Sequence, residues 1–354
     1  MWVRYRKQIA QWALAAVIAT IILNCIVACY ELYPGYLHRD GGATRGVWMP
    51  HYFIVKGDEG RAISEVDGNG YINASNDLAD SGYVLFMGNS QSNGIQVAVE
   101  KRYISLLNEE FHRDNIDNKV YAYNVSNDGN DFCDLVSGFT AAIEEFPNSH
   151  AIVLQIGNMN WPLDKMQNCT VQRPFSEEMR GAYISTHLSN NQKLLHEIRV
   201  VLPFPAYVIE KKFMAIEWDF DNAFWYHGEK TTVAQNTNDE NTWNEYEDCL
   251  SEVLGFLRQN YSGEIIILEL PYISLGGGTL QSTNGIRQEL FYKLCAENNI
   301  TYVNMYEIYC REYKTQHILP YGFSNTRPGS GHLNEAGHQM IADELYPILE
   351  GSME

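Results

Sequence analysis

Three continuous apolar runs, each too short for a buried helix, constrain the fold most. Tyr83-Val84-Leu85-Phe86-Met87 and Ala151 to Ile156 each end at a glycine, Gly88 and Gly157, and Glu264 to Leu270 is a third. Such runs mark strands covered on both faces, the condition of a parallel sheet. Between them, apolar residues recur at helical spacing over Val99–Phe111, Leu135–Phe146, Tyr246–Arg258 and Gly285–Asn298. Val120–Val125 and Tyr302–Met305 read as further strands, and Asn334–Leu349 as a closing helix. Alternating strands and helices predict an α/β domain with a mainly parallel sheet. Function in such sheets gathers beyond the strand C-termini. The stretches 88–94, 124–131 and 157–160 each begin near such an end, so they are expected to converge on one crevice.

The 354-residue chain carries a formal charge of −19, spread along its length, which argues against nucleic acid as a partner. Its N-terminus differs. Arg4, Arg6 and Lys7 precede Ile9–Cys29, a stretch without charge, where roughly 20 apolar residues suffice to span a bilayer. With positive flanks retained inside, residues beyond Glu31 are expected outside the cytoplasmic membrane, as a single-pass anchored domain. A cleaved signal peptide is an alternative reading, and Ile26-Val27-Ala28-Cys29 resembles a lipobox, which would make the chain a lipoprotein through Cys29. Five further cysteines are widely spaced, without a Cys-x-x-Cys pair or an adjacent His, so no metal and no cofactor is expected. One or two disulfides are compatible with an oxidising compartment, with connectivity open.

The organisation expected is therefore an anchor over 1–31, an irregular membrane-proximal segment over 32–80, and the main α/β domain over 81–354. Residues from about 161 to 245 interrupt the alternation. They are aromatic and polar, including Phe204-Pro205, Trp218, Trp225 and Trp243, and read as an insertion, either a substrate wall or a structural elaboration.

Two motifs carry chemistry. Gly88-Asn89-Ser90-Gln91-Ser92-Asn93-Gly94 puts a serine just past a buried strand, and Gly331-His332-Leu333-Asn334-Glu335-Ala336-Gly337-His338 puts a histidine at a helix start. A serine hydroxyl becomes a useful nucleophile only when a base takes its proton. Ser90 with His332 as base therefore points to acyl transfer or ester hydrolysis. Asn334 reads as a helix cap and His338 as a packing residue. Gly276-Gly277-Gly278 lacks the Lys-Ser or Lys-Thr of a phosphate cradle and reads as a loop.

On these residues the chain resembles the SGNH (GDSL) hydrolase superfamily over about 83–350. Gly88-Asn89-Ser90 with Gly94 matches the first family block except that Asn89 replaces Asp. Asn124-Val125-Ser126-Asn127-Asp128-Gly129 is similar to the second, and His332 with Leu333-Asn334 and Ala336-Gly337-His338 to the last. The resemblance implies a three-layer α/β/α sandwich with a flavodoxin-like sheet, and an oxyanion hole from the amides of Ser90 and Gly129 with an asparagine side chain. The third family block, Gly-x-Asn-Asp, appears as Gly157-Asn158-Met159-Asn160, so Asn158 and Asn160 are both candidates for that asparagine. The triad aspartate, three residues before the histidine in the family, is Gly329 here. A backbone carbonyl or a carboxylate from elsewhere, for example Glu269 or Asp128, is needed to hold the ring.

The resemblance makes the leading expectation a membrane-tethered serine esterase or O-acyltransferase acting on a cell-surface glycan or other acylated polymer. A catalytically degenerate carbohydrate-binding or assembly component is the main alternative, suggested by Asn89, Met159 and Gly329. A lipase or phospholipase is a third.

Overall fold

The structure, a computed structural model, describes residues 2–32, 36–38, 46–74, 82–113, 120–157, 159, 161–171, 202–208, 240–276, 278–282 and 285–353. In chain order these form α1 (Trp2–Tyr30), β1 (Tyr36–His38), β2 (Gly46–Trp48), β3 (Phe53–Lys56), β4 (Ala62–Glu65), β5 (Tyr83–Met87), α2 (Ser90–Asn93), α3 (Tyr103–Arg113) and β6 (Tyr121–Asn124). There follow α4 (Phe132–Ser137), α5 (Phe139–Glu145), β7 (Ser149–Ile156), α6 (Leu163–Asn168), α7 (Pro203–Val208), α8 (Glu240–Asn260), β8 (Glu264–Glu269) and the β9 (Ile273–Gly276)–β10 (Thr279–Ser282) hairpin. The chain closes with α9 (Gly285–Glu297), β11 (Thr301–Asn304), α10 (Tyr306–Gln316) and α11 (Glu335–Met353).

The continuous apolar runs become the centre of a five-stranded, all-parallel sheet in the order β11-β8-β7-β5-β6. Numbering only these strands along the chain gives 2-1-3-4-5, the flavodoxin-like order. Side chains alternate across each strand and divide the core in two. Leu85, Met87, Ile152, Leu154, Ile265 and Ile267 face α4, α5, α8 and α9. Val84, Phe86, Val153, Ile266 and Leu268 face α3, α10 and α11. The result is the expected α/β/α sandwich, with both faces covered. Strand order reverses between β5 and β7, and the crevice at that reversal is where Ser90 emerges.

The segment 32–80, expected to be irregular, contains antiparallel hairpins instead. β3 pairs with β4, with Val55 opposite Ile63, and Leu32 extends the pairing by a bridge to Val55. The Gly57–Gly60 turn joins two short runs whose inner residues Ile54, Lys56, Ala62 and Ser64 are buried. α1 is long and apolar enough, over Tyr5–Tyr30, to cross a membrane, and most of that stretch is exposed, Val27 near its end being buried. Of the insertion, α6, α7 and the start of α8 are described; Trp218 and Trp225 lie outside the described residues. All seven cysteines are free thiols, and Gly276 and Gly278 flank the turn of the β9–β10 hairpin.

Candidate active site

The nucleophile motif folds as a strand, a sharp turn and one turn of helix. Asn89 caps α2, its Oδ1 accepting the Gln91 amide at 2.9 Å, while its own amide donates to Gln155 Oε1 at 3.0 Å. An asparagine oxygen caps about as well as an aspartate oxygen, so the Asp-to-Asn departure leaves the local fold intact. Beneath the turn runs a buried chain of hydrogen bonds. Tyr103 Oη donates to Ser92 Oγ at 2.6 Å, and Ser92 Oγ donates to Gln155 Oε1 at 3.0 Å. Burial holds the Tyr103 hydroxyl well above its ordinary pKa, so it stays a donor.

His332 arrives from the loop before α11. Gln91, the residue after Ser90, brackets it: Gln91 Nε2 donates to the Gly331 carbonyl at 3.3 Å and Gln91 Oε1 accepts the Leu333 amide at 2.8 Å. His332 Nε2 then lies 3.1 Å from Ser90 Oγ, within hydrogen-bond range. The far side of the ring meets a residue that sequence reasoning missed. His332 Nδ1 is 2.6 Å from Glu59 Oε2, and the His332 amide donates to Glu59 Oε1 at 2.8 Å. Glu59 sits at the tip of the β3–β4 hairpin, and both side chains are partly shielded, at 19 % and 27 % exposure for Glu59 and His332. A carboxylate accepting at Nδ1 fixes the tautomer that leaves Nε2 free to accept from the serine.

Neither carboxylate named as a stand-in for the missing aspartate reaches the ring. Glu269 is fully buried and accepts from Tyr302 Oη and from Asn304 Nδ2. Asp128 accepts from Asn93 Nδ2 at 3.0 Å. Gly329 has φ +76°, and its amide bonds the Tyr321 carbonyl at 2.9 Å, so the usual position of the acid has become a left-handed turn. Gly331 shows the complementary adaptation. At φ +88° it would place a Cβ 2.2 Å from Glu59 Oε1, so only glycine admits the carboxylate here.

The second motif is tied to the same crevice. Asn124 Nδ2 donates to the Ser92 carbonyl at 3.0 Å, the Asn127 amide donates to the Gly88 carbonyl at 3.1 Å, and Asp128 holds Asn93. Gly129 follows at φ +81° with open space on its Cβ side. Among the described residues no acceptor takes the amide of Ser90 or of Gly129. Asn158 and Asn160 lie outside the described residues; Gly157, which precedes them, approaches the Asn89 side chain and Tyr272. Met159 is buried, beside Trp161 against Phe132.

Asn334 behaves as expected, its Oδ1 accepting the Gly337 amide at 3.0 Å. His338 is a packing residue, stacked on Tyr103 at 5.7 Å and accepting the Tyr103 amide through Nδ1 at 3.3 Å. Among the described residues no group of His, Cys, Asp and Glu could hold a metal ion.

No protein-family model matches the chain, and no curated protein is significantly similar to it. Solved structures of low sequence identity are similar in fold. One is LAE5, an alpha/beta hydrolase enzyme from the metagenome of Lake Arreo, at 15 % identity and TM-score 0.40, covering 78 % of this chain and 98 % of that one. Another is the psychrotrophic esterase EstA from Pseudoalteromonas sp., at 11 % and 0.39, covering 77 % and 98 %. A third is a catalytic mutant of Axe2, an acetylxylan esterase from Geobacillus stearothermophilus, at 13 % and 0.38, covering 76 % and 95 %.

Proposed function

We propose that this chain is a membrane-tethered SGNH-type serine esterase, with Ser90 as nucleophile, His332 as general base and acid, and Glu59 as the carboxylate that orients the imidazole. The observation that carries the reading is the single ring of His332 bridging Ser90 Oγ and Glu59 Oε2. His332 Nε2 takes the Ser90 proton as Oγ attacks the acyl carbonyl carbon. The carbonyl electron pair moves to oxygen, where the amides of Ser90 and Gly129 and the side chain of Asn158 or Asn160 would receive it. Such donors are typically worth about 3 to 4 kcal/mol each. Collapse of the intermediate expels an alcohol that takes the proton back from His332, leaving an acyl-serine. Water then repeats the sequence and regenerates the enzyme.

Glu59 weighs against the degenerate binding component, because Gly329 no longer leaves the histidine without an acid. By resemblance and by the anchor, the substrate class is acyl esters on a polysaccharide or other polymer outside the cytoplasmic membrane. A sugar hydroxyl in place of that water would make the same site an O-acyltransferase. The test is labelling of the full-length chain by a serine-reactive fluorophosphonate. Labelling that disappears in Ser90→Ala and in His332→Ala supports the esterase; absence of labelling in the unaltered chain would refute an activated serine.

A further inference from the structure

The hairpin that carries Glu59 is joined to the membrane helix, and its outer face carries an apolar row of Phe53, Val55 and Ile63, with Glu65 at the edge opposite Phe53. Residues opposed in an antiparallel pair project from the same side. Leu32 pairs with Val55 and Val55 with Ile63, so three apolar side chains form one cross-strand row. The row starts two residues beyond Tyr30, the last residue of α1. While the opposite face is buried, Phe53 and Ile63 on this face are 52 % and 66 % exposed. With strands about 4.8 Å apart, Ile63 lies roughly 10 Å from Leu32, so the whole row stays close to the exit of the span.

A second contact lies deeper. The Phe204 amide of α7, in the apolar run Pro203-Phe204-Pro205-Ala206-Tyr207-Val208, donates to Asn24 Oδ1 at 3.0 Å. Asn24 precedes the end of α1 by six residues, about 9 Å of helix, which is hydrocarbon depth for an anchor ending at Tyr30. Polar groups at that depth need internal partners, and Asn24 Nδ2 also bonds the Thr20 carbonyl at 2.7 Å. A domain swinging freely on a tether would have neither contact.

We propose that the outer face of β3–β4, together with α7, is a membrane-seating surface whose partner is the lipid leaflet on the domain's own side. The proposal rests on α1 being a membrane anchor. Glu59 stands only four residues from Val55, at most about 13 Å of strand, so the seated hairpin holds the orienting carboxylate, and the crevice with it, just above the bilayer. The substrate class this favours is an acyl ester within reach of the membrane surface.

The test places the photo-crosslinker p-benzoylphenylalanine, one position at a time, at Phe53, Ile63 and Tyr207 of the full-length chain in phosphatidylethanolamine–phosphatidylglycerol liposomes. Ile18, inside the span, and Tyr292, exposed on α9, serve as controls. Lipid adducts at 53 and 63 approaching the yield at 18 and several-fold above that at 292 are expected, read by mass spectrometry. Yields at 53 and 63 no higher than at 292, with 18 labelled, would overturn the seating surface and leave the anchor standing. Protein-to-protein adducts at 53 and 63 would assign the face to a second chain and overturn it too. Failure at 18 would remove the anchor and this proposal together, whereas the esterase reading is decided independently by fluorophosphonate.

Discussion

At the residue scale, Glu59 accepts two donors, the backbone amide of His332 on Oε1 and the Nδ1–H on Oε2. A glutamine offers one acceptor and one donor, so Glu59→Gln must turn one of these contacts into donor facing donor. If the oxygen stays on the backbone amide, the ring shifts to the tautomer with its proton on Nε2 and cannot accept from Ser90. The expected outcome is a fall in kcat on the order of 10³ to 10⁴ with KM little changed. Steady-state kinetics on a chromogenic acyl ester measures it, and a variant within tenfold of the unaltered enzyme would remove Glu59 from the mechanism. Ser90 and His332 were legible because each lies in a motif with its own local logic, a strand-end turn and a capped helix start. Glu59 was not, because it lies 273 residues from its partner. Only the Gly57-Asp58-Glu59-Gly60 turn between two short strand-like runs hinted at it.

At the scale of elements, the question is what holds the hairpin tip still. Asn325, on the loop leading to His332, accepts the Gly60 amide at 3.0 Å and donates to the carbonyls of Gly57 and Gly60 at 3.1 and 3.0 Å. From the other side, buried Arg102 reaches Ser64 Oγ on β4 and the Val97 carbonyl. Asn325 therefore acts as a clamp between acid and base, although it touches neither. Asn325→Ala removes three hydrogen bonds at an exposed loop, where water can take over much of what the amide supplied. It is expected to lower kcat about 10- to 100-fold through a mobile Glu59, while leaving the melting temperature of the whole chain within a few degrees because the loop is exposed. Equal losses in Ser90-independent properties, such as global unfolding, would instead mark it as structural. The central strands could be read from sequence since burial on both faces makes them continuously apolar. β3 and β4 could not, because four-residue strands with one polar-interrupted face carry little periodicity. Most of the insertion had no repeating pattern to read.

At the scale of the whole molecule, α11 and α3 are locked together by a histidine that has to stay neutral. His338 Nδ1 accepts the Tyr103 amide, one of the free donors at the start of α3. Burial, aided by the Arg102 cation nearby, lowers the His338 pKa to about 3. Protonation would destroy the acceptor and put a second positive charge in the interior beside Arg102. In the unfolded chain the same group titrates near about 6.5. Between these values the unfolded state binds the extra proton, so stability is intact above about pH 6.5 and declines by about 1.4 kcal/mol per unit as pH falls toward 3. From about pH 7 to about pH 5 this amounts to roughly 2 kcal/mol from one residue. In His338→Asn, the amide oxygen can still accept the Tyr103 amide but does not titrate. Thermal unfolding of the full-length chain and of this variant in detergent at the two pH values should therefore show the larger acid loss in the unaltered chain. Parallel pH slopes would mean that His338 is already protonated in the fold, and that the two layers meet through some contact other than a neutral imidazole.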